Sequence, residues 1–238
     1  MAEANRKIEE LESFLQMVAH DLKSPAAAVC GFVRLLKRTA SRIALDERIN
    51  EILRHLSNAS NTIQEFLQDI SAFMVTEQMN LEWAPLKVDE AIQEVLDQHR
   101  HLISEKKIDL KLNFGSTGLM GMGDKRRIQQ VLDNLIRNAI FHMGDVPEPL
   151  ICIMVEEQND FIVAGISDNG IGIPDEYKEQ VFDKYFRVPR SGLQAGTGLG
   201  LFIAKCIVEN HGGRIWIDST PKGGTTVNFT VPKHAPTN

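Results

Sequence analysis

The sequence predicts a multidomain α+β protein: an N-terminal helical hairpin that forms a dimeric four-helix bundle, then an α/β sandwich built on a mixed sheet. Three observations carry this prediction. Apolar residues recur every seven positions through the first third of the chain. After Met74 that period gives way to short strands interleaved with helices. Two glycine tracts, Asp168-Asn169-Gly170-Ile171-Gly172-Ile173-Pro174 and Gly196-Thr197-Gly198-Leu199-Gly200-Leu201, stand near the end. The 238 residues suffice for one large or two small domains, and the change of period divides them at 1–76 and 77–238.

In the first domain one stripe runs Ile8, Leu15, Leu22, Val29 and Leu36, with Leu11, Val18 and Phe32 in companion positions. A second runs Ile49, Leu56, Ile63 and Ile70, accompanied by Ile52 or Leu53, Ala59, Phe66 and Phe73. Two sustained heptad stripes joined by a polar turn over 38–46 describe a helical hairpin. One hairpin buries only a narrow seam, so two are expected to pair as a homodimer. The alternative is a hairpin lying against the second domain of its own chain. Met1-Ala2-Glu3 runs straight into the heptads, which predicts a core separated from an input domain.

Residues 75–86, with Pro85, read as a linker running into a short strand. A helix follows over 88–106, a strand over 108–114 and a helix over 124–142. Strands are expected at 150–155 and 161–167, then a short helix near 175–182. The last helix spans 199–209 and stops before Gly212-Gly213, a glycine C-terminal signal. Strands 214–218 and 225–231 flank the turn Pro221-Lys222-Gly223-Gly224. Helices interleaved with strands predict one mixed sheet with helices on one face.

Charged residues at 24% and hydrophobic residues at 43% are ordinary for a globular protein. A net charge of −6 argues against nucleic-acid binding and gives no sign of membrane contact. Cys30, Cys152 and Cys206 are far apart and odd in number, which points to a reduced, cytoplasmic setting. No apolar run approaches the roughly 20 residues of a membrane span. The charged segment 1–12 is no signal peptide.

The glycine tracts let backbone close tightly around a nucleotide. The N–H groups at the helix start after Gly198 can receive phosphate oxygens. Neither tract has Walker or dinucleotide spacing. Asn134 and Asn138, four apart, share a helix face. Asn138 offers a neutral oxygen for Mg²⁺. Asn134 stands where a hydrolytic ATPase would carry a glutamate, and an amide cannot accept a proton. That favours passing the γ-phosphoryl group to an acceptor other than water. Asp168 can accept a hydrogen bond from adenine's amine; the plainer alternative is an Asx-turn. Lys184 and Arg187 are solvated charges or a phosphate clamp, and 188–195 reads as a mobile lid.

His20 falls at heptad position f, on the outer face, with Asp21 beside it to orient the ring and take its proton. Pro25 within the helix distorts it at a cost of about 3 kcal/mol. A kink next to an exposed His–Asp pair reads as a hinge at a reaction site.

Together these residues resemble the cytoplasmic core of two-component sensor histidine kinases over almost the whole chain. Phe14 to Pro25 is similar to the H box, Asp133 to Ala139 to the N box, and DNGIGIP to the G1 box. VFDKYF is similar to the F box and GTGLGL to the G2 box. The resemblance implies a dimerisation and histidine-phosphotransfer hairpin, followed by an ATP-binding domain of the gyrase type. It implies ATP and Mg²⁺ as cofactors, and the chain itself and a response regulator receiver domain as partners. His20 would be the phosphoacceptor assisted by Asp21, and Asn138 the Mg²⁺ ligand with Asn134 as its polar partner. The nucleotide set would add Asp168, Gly170, Gly172, Lys184, Arg187, Gly196, Thr197, Gly198, Leu199, Gly200 and Thr225. Ser24, four after His20, is the candidate for positioning water in dephosphorylation of the regulator. Phe141 stands where many relatives place Lys or Arg near the phosphates, which implies weaker nucleotide binding, with His142 as a substitute. The competing functional reading is a pseudokinase scaffold that docks a regulator without phosphorylation.

Overall fold

The computed structural model describes residues 26–33, 35–36, 38, 48–49, 51–53, 55–56, 59–60, 63, 81–115, 118–189, 198–220 and 223–235. The chain divides into two units, Met1–Glu77 with Arg190–Leu199 and Gln78–Pro189 with Gly200–Asn238.

In the first unit the described residues between 26 and 63 are helical. Those buried are Ala26, Cys30, Val33 and Ser60. Ser60 Oγ donates to Cys30 Sγ at 2.7 Å, so the two stretches meet through small side chains. The heptad residues lie elsewhere: Val29, Phe32, Leu36, Ile49, Leu56 and Ile63 are exposed by 44 to 67%. Among the described residues of this unit the buried positions therefore lie beside the heptad positions rather than on them.

The second unit begins with β1 (Ala84–Lys87) and α1 (Val88–Glu105), then β2 (Asp109–Phe114), β3 (Met120–Gly123) and α2 (Lys125–Phe141). β4 (Leu150–Gln158) and β5 (Phe161–Asp168) follow, then α3 (Gly200–Asn210), β6 (Ile215–Ser219) and β7 (Thr225–Pro232). Asp124 caps α2 by accepting the N–H groups of Arg126 and Arg127 at 3.0 and 3.3 Å, a cap typically worth about 1 kcal/mol. Five strands form a mixed sheet in the order β2-β4-β5-β7-β6. Only β2 and β4 run parallel in it.

Strand alternation decides which face is covered. Along β4, Ile151, Ile153 and Val155 are buried while Met154 is exposed. Register places Ile153 opposite Ile166 and Ile166 opposite Val227, which extends that apolar layer across three strands. The helices supply the other half of the core, with Ile92 of α1, Ile128, Leu132 and Ile136 of α2, and Ile203 and Ile207 of α3 fully buried. Each such side chain contributes roughly 1.5–3 kcal/mol by leaving water.

Two expectations are corrected. β1 and β3 form a separate two-stranded antiparallel sheet, so there is not one sheet but two. β3 was hidden because Gly121 and Gly123 are poor strand formers. They stand there because neighbours press on them: a Cβ at Gly121 would lie 2.7 Å from Val231 Cγ1, and one at Gly123 2.8 Å from His211 Cδ2. The expected helix near 175–182 is instead two 3₁₀ turns, Asp175–Tyr177 and Gln180–Phe182. Val181 and Phe182 anchor the second turn in the core.

His211 joins three of these elements. Its Nε2 accepts the Asp124 N–H at 3.0 Å, its Nδ1 faces the Ile207 carbonyl at 2.7 Å, and its ring packs on Trp83. An N–H donor on one nitrogen and a carbonyl on the other require the neutral Nδ1–H tautomer. Burial accordingly holds its pKa below the ordinary 6.5. The folded state resists protonation, so this contribution is whole above pH 6.5 and declines as pH falls below it. His211→Ala should cost roughly 2 kcal/mol at pH 8, the order of one stranded buried donor. Urea unfolding of parent and variant should show the gap narrowing at pH 5.5.

Candidate nucleotide site

The site is built on α2. Asn134, Asn138 and Phe141 stand at i, i+4 and i+7, so they line one side of the helix. Asn134 is buried, and its Nδ2 donates to the Gly200 carbonyl at 3.1 Å. That bond holds the first residue of α3 against the middle of α2. Gly198, just before α3, has φ +74°, the left-handed region that favours glycine. The helix start beside the asparagine side therefore presents N–H groups with no partner inside the helix, the usual receptor for phosphate oxygens. Asn138 is half-buried and its backbone carbonyl accepts the His142 N–H at 2.9 Å.

Asp168 ends β5 beside this helix's C-terminus. Its Oδ1 accepts the Gly170 N–H at 2.8 Å, so it does make the Asx-turn. Burial pushes its pKa up to about 6, against the opposing pull of backbone N–H groups of Gly170 and Thr225. A turn aspartate in water needs no such burial. The surrounding backbone is pressed close: a Cβ at Gly170 would lie 2.4 Å from the His142 carbonyl oxygen. Gly172, at φ +68°, abuts Gly224, and a Cβ at Gly224 would lie 2.1 Å from the Asp168 carbonyl oxygen. Asn169 fastens the adjoining loop, accepting the Leu150 N–H and donating to the Glu148 carbonyl, both at 2.8 Å.

The structure thus brings Asn134, Asn138, Asp168, Gly170, Gly172, Gly200 and Thr225 into one unit around the end of α2. Thr225 is buried and acts through its backbone N–H on Asp168. Lys184 Nζ lies 5.1 Å from the centroid of the Phe202 ring, on the first turn of α3, while Arg187 is exposed. Leu199 is buried. His20, Asp21, Ser24, Gly196 and Thr197 lie outside the described residues. Gly224 was not singled out from the sequence as part of the site, although a Gly-Gly pair before a strand was its signal. Among the described residues no helix is long and apolar enough to cross a membrane.

Residues 123–235 match the family described as histidine kinase-, DNA gyrase B- and HSP90-like ATPase. The catalytic domain of histidine kinase ThkA superposes with a TM-score of 0.58 at 33% identity, covering 64% of this chain and 98% of that one. The chain belongs to the histidine kinase family. It is also similar to the methanogenesis regulatory histidine kinase FilI of Methanothrix harundinacea, 32% identical over 233 residues, 98% of this chain and 26% of that protein. ThkA solved in complex with response regulator protein TrrA matches at 26% identity with a TM-score of 0.67, covering 97% of this chain and 64% of that one. The chain spans 26 to 38% of the length of the first curated histidine kinases and phytochrome-like proteins it matches.

The fold bears the burial of the Asp168 carboxylate. The sign follows from the raised pKa. Above pH 6 the folded state holds an unwelcome carboxylate, and the cost fades as pH falls from about 6 towards 4, where unfolded aspartate also protonates. Two pH units correspond to as much as about 3 kcal/mol. Without ligand, Asp168→Asn should be more stable than the parent by about 1 kcal/mol or more at pH 7.5. Chemical denaturation at pH 4.5 should find that advantage much reduced.

Proposed function

We propose that this chain is the catalytic core of a sensor histidine kinase that transfers the γ-phosphoryl group of ATP to His20 and then to an aspartate of a response regulator. The observation that carries this reading is the Asn134–Gly200 hydrogen bond, which sets the asparagine side of α2 beside the N-terminus of α3, in the same unit as the buried Asp168. A hydrolytic site would need a carboxylate near Asn134; an amide there cannot deprotonate water. The family resemblance of the H box supplies the acceptor, and the response regulator bound to ThkA supports the second transfer.

In this scheme Asp168 accepts the adenine amine, and Gly170, Gly172 and Gly224 let base and backbone approach. The N–H groups at Gly200 hold phosphate oxygens. Asn138, half-buried on the same side as Asn134, suits a Mg²⁺ that keeps several waters; bound there, the ion would neutralise phosphate charge. A nitrogen of His20 attacks the γ-phosphorus, ADP departs, and Asp21 takes the imidazole proton. Positioning and charge neutralisation do most of the work in such transfers. Lys184 and Arg187 act as clamping cations, and Ser24 positions water when the regulator is dephosphorylated. The domains divide at 76/77, and the kinase works in the cytoplasm.

The exposed Val29, Phe32, Leu36, Ile49, Leu56 and Ile63 favour a second copy of the chain as their cover. A heptad stripe outside the unit's own seam is what a four-helix bundle pairs. Replacing Leu56 and Ile63 together by Glu should convert a dimer to a monomer in sedimentation velocity. A parent that sediments as a monomer at micromolar concentration would contradict the bundle.

Incubation with labelled ATP and Mg²⁺ tests the reaction. The parent should acquire acid-labile, alkali-stable label, and His20→Gln should lose it while keeping its ATP affinity. Undiminished label on that variant removes His20 from the mechanism, whereas nucleotide binding without label on the parent leaves the scaffold reading. ATP affinity should also weaken as pH falls through 6, where Asp168 takes up its proton.

A further inference from the structure

The asparagine side of α2 ends in an apolar ring. Phe141, seven residues beyond Asn134 on the same side, is 43% exposed and carries no charge. A triphosphate lying along that side needs cations, because its oxygens carry several negative charges that one Mg²⁺ neutralises only in part. The charge at this end comes from another element. Lys106, the C-cap just after α1, reaches across to α2. Its Nζ donates to the Ile140 carbonyl at 2.9 Å and sits 5.3 Å from the centroid of the Phe141 ring.

We propose that Lys106 is a phosphate-binding cation of the nucleotide site, held in place by Phe141. An ammonium has three donors. One satisfies the Ile140 carbonyl, where the positive charge also suits the negative end of α2. The ring holds the ammonium by its negative face, and donors remain for phosphate oxygens. Other lysines of this unit are already paired: Lys87 with Glu90, Lys125 with Glu94, and Lys178 with Asp175, each within 2.7 Å. No carboxylate among the described residues comes within 4.0 Å of Lys106, although Asp109 and Glu148 line the same groove. Phe141 is then a platform for a cation rather than the loss of one. The plain alternative is that Lys106 only caps α2.

The inference rests on the nucleotide reading, and the test separates the two. The full chain is titrated calorimetrically with Mg-ATP and with AMP, for parent, Lys106→Gln, Lys106→Arg and Asn138→Ala. Glutamine can still donate to the Ile140 carbonyl without the charge, so a folded variant is expected, and thermal melting checks it. Lys106→Gln should weaken ATP about ten-fold, the worth of one charge-assisted hydrogen bond, and AMP less than two-fold. Lys106→Arg should restore most of the loss. Unchanged ATP affinity in Lys106→Gln, with ATP binding still lost in Asn138→Ala, overturns the role of Lys106 and leaves the nucleotide reading intact. Equal weakening of ATP and AMP reduces Lys106 to a helix cap. A parent that binds no ATP overturns both.

Discussion

Three backbone segments meet around Asp168 more closely than any side chain would permit, and the site depends on that approach. Gly170 lies against the end of α2 and Gly224 against Asp168 itself; a Cβ at either would overlap backbone atoms at 2.4 and 2.1 Å. Gly224 also has φ +88°, which other residues adopt only under strain. Because α2 ends where Gly170 begins, the helix carrying Asn134 and Asn138 is tied to the strand carrying Asp168. The Asn134 bond to Gly200 then fixes α3 to the same helix. Two amides, one carboxylate and one helix start are thereby held together without any ligand.

The arrangement sets stability against function. A buried carboxylate with a pKa near 6 is poorly solvated and only partly compensated by the N–H groups of Gly170 and Thr225. A hydrogen-bond donor set against Asp168 would relieve that burial, as its proposed role toward a nucleotide requires. His211 shows the opposite arrangement. Both of its ring nitrogens are satisfied by backbone, and its burial serves the join between Asp124, Ile207 and the β1–β3 sheet rather than any ligand. Two buried titratable groups in one fold therefore differ in what burial costs them: His211 stays neutral with both nitrogens on backbone, while the Asp168 charge is offset only in part by the N–H groups of Gly170 and Thr225.

Charge around the site follows a similar division. Lys184 lies over Phe202, Lys106 over Phe141 and Arg214 over Trp216. At Lys106 the ring holds the ammonium in place without neutralising it, as a carboxylate would. In the first unit the same logic of what is left unsatisfied applies to apolar surface. Cys30 and Ser60 meet between two helical stretches, while Val29, Phe32, Leu36, Ile49, Leu56 and Ile63 stay exposed.

Local pattern in the sequence determined most of the fold. Heptad spacing marked the helical stretches described between 26 and 63, and the strands expected at 150–155 and 161–167 lie within a few residues of β4 and β5. The Asp124 cap and the Gly212-Gly213 stop bounded α2 and α3, because capping is a property of a few neighbouring residues. The asparagine pair, Asp168 and its glycines were legible for the same reason: their chemistry depends on spacing along one helix or one turn. Only the tertiary structure decided the rest. β3 exists through its pairing with β1, and its glycines, which argue against a strand locally, fit close against Val231 and His211 far along the chain. Whether the heptad stripe faces inward depends on which side of a helix a partner covers, and spacing alone does not say. Lys106 and Phe141 are 35 residues apart in sequence and meet only because α1 and α2 pack together. Gly224 likewise gains its meaning from the strand pairing that carries it onto Asp168.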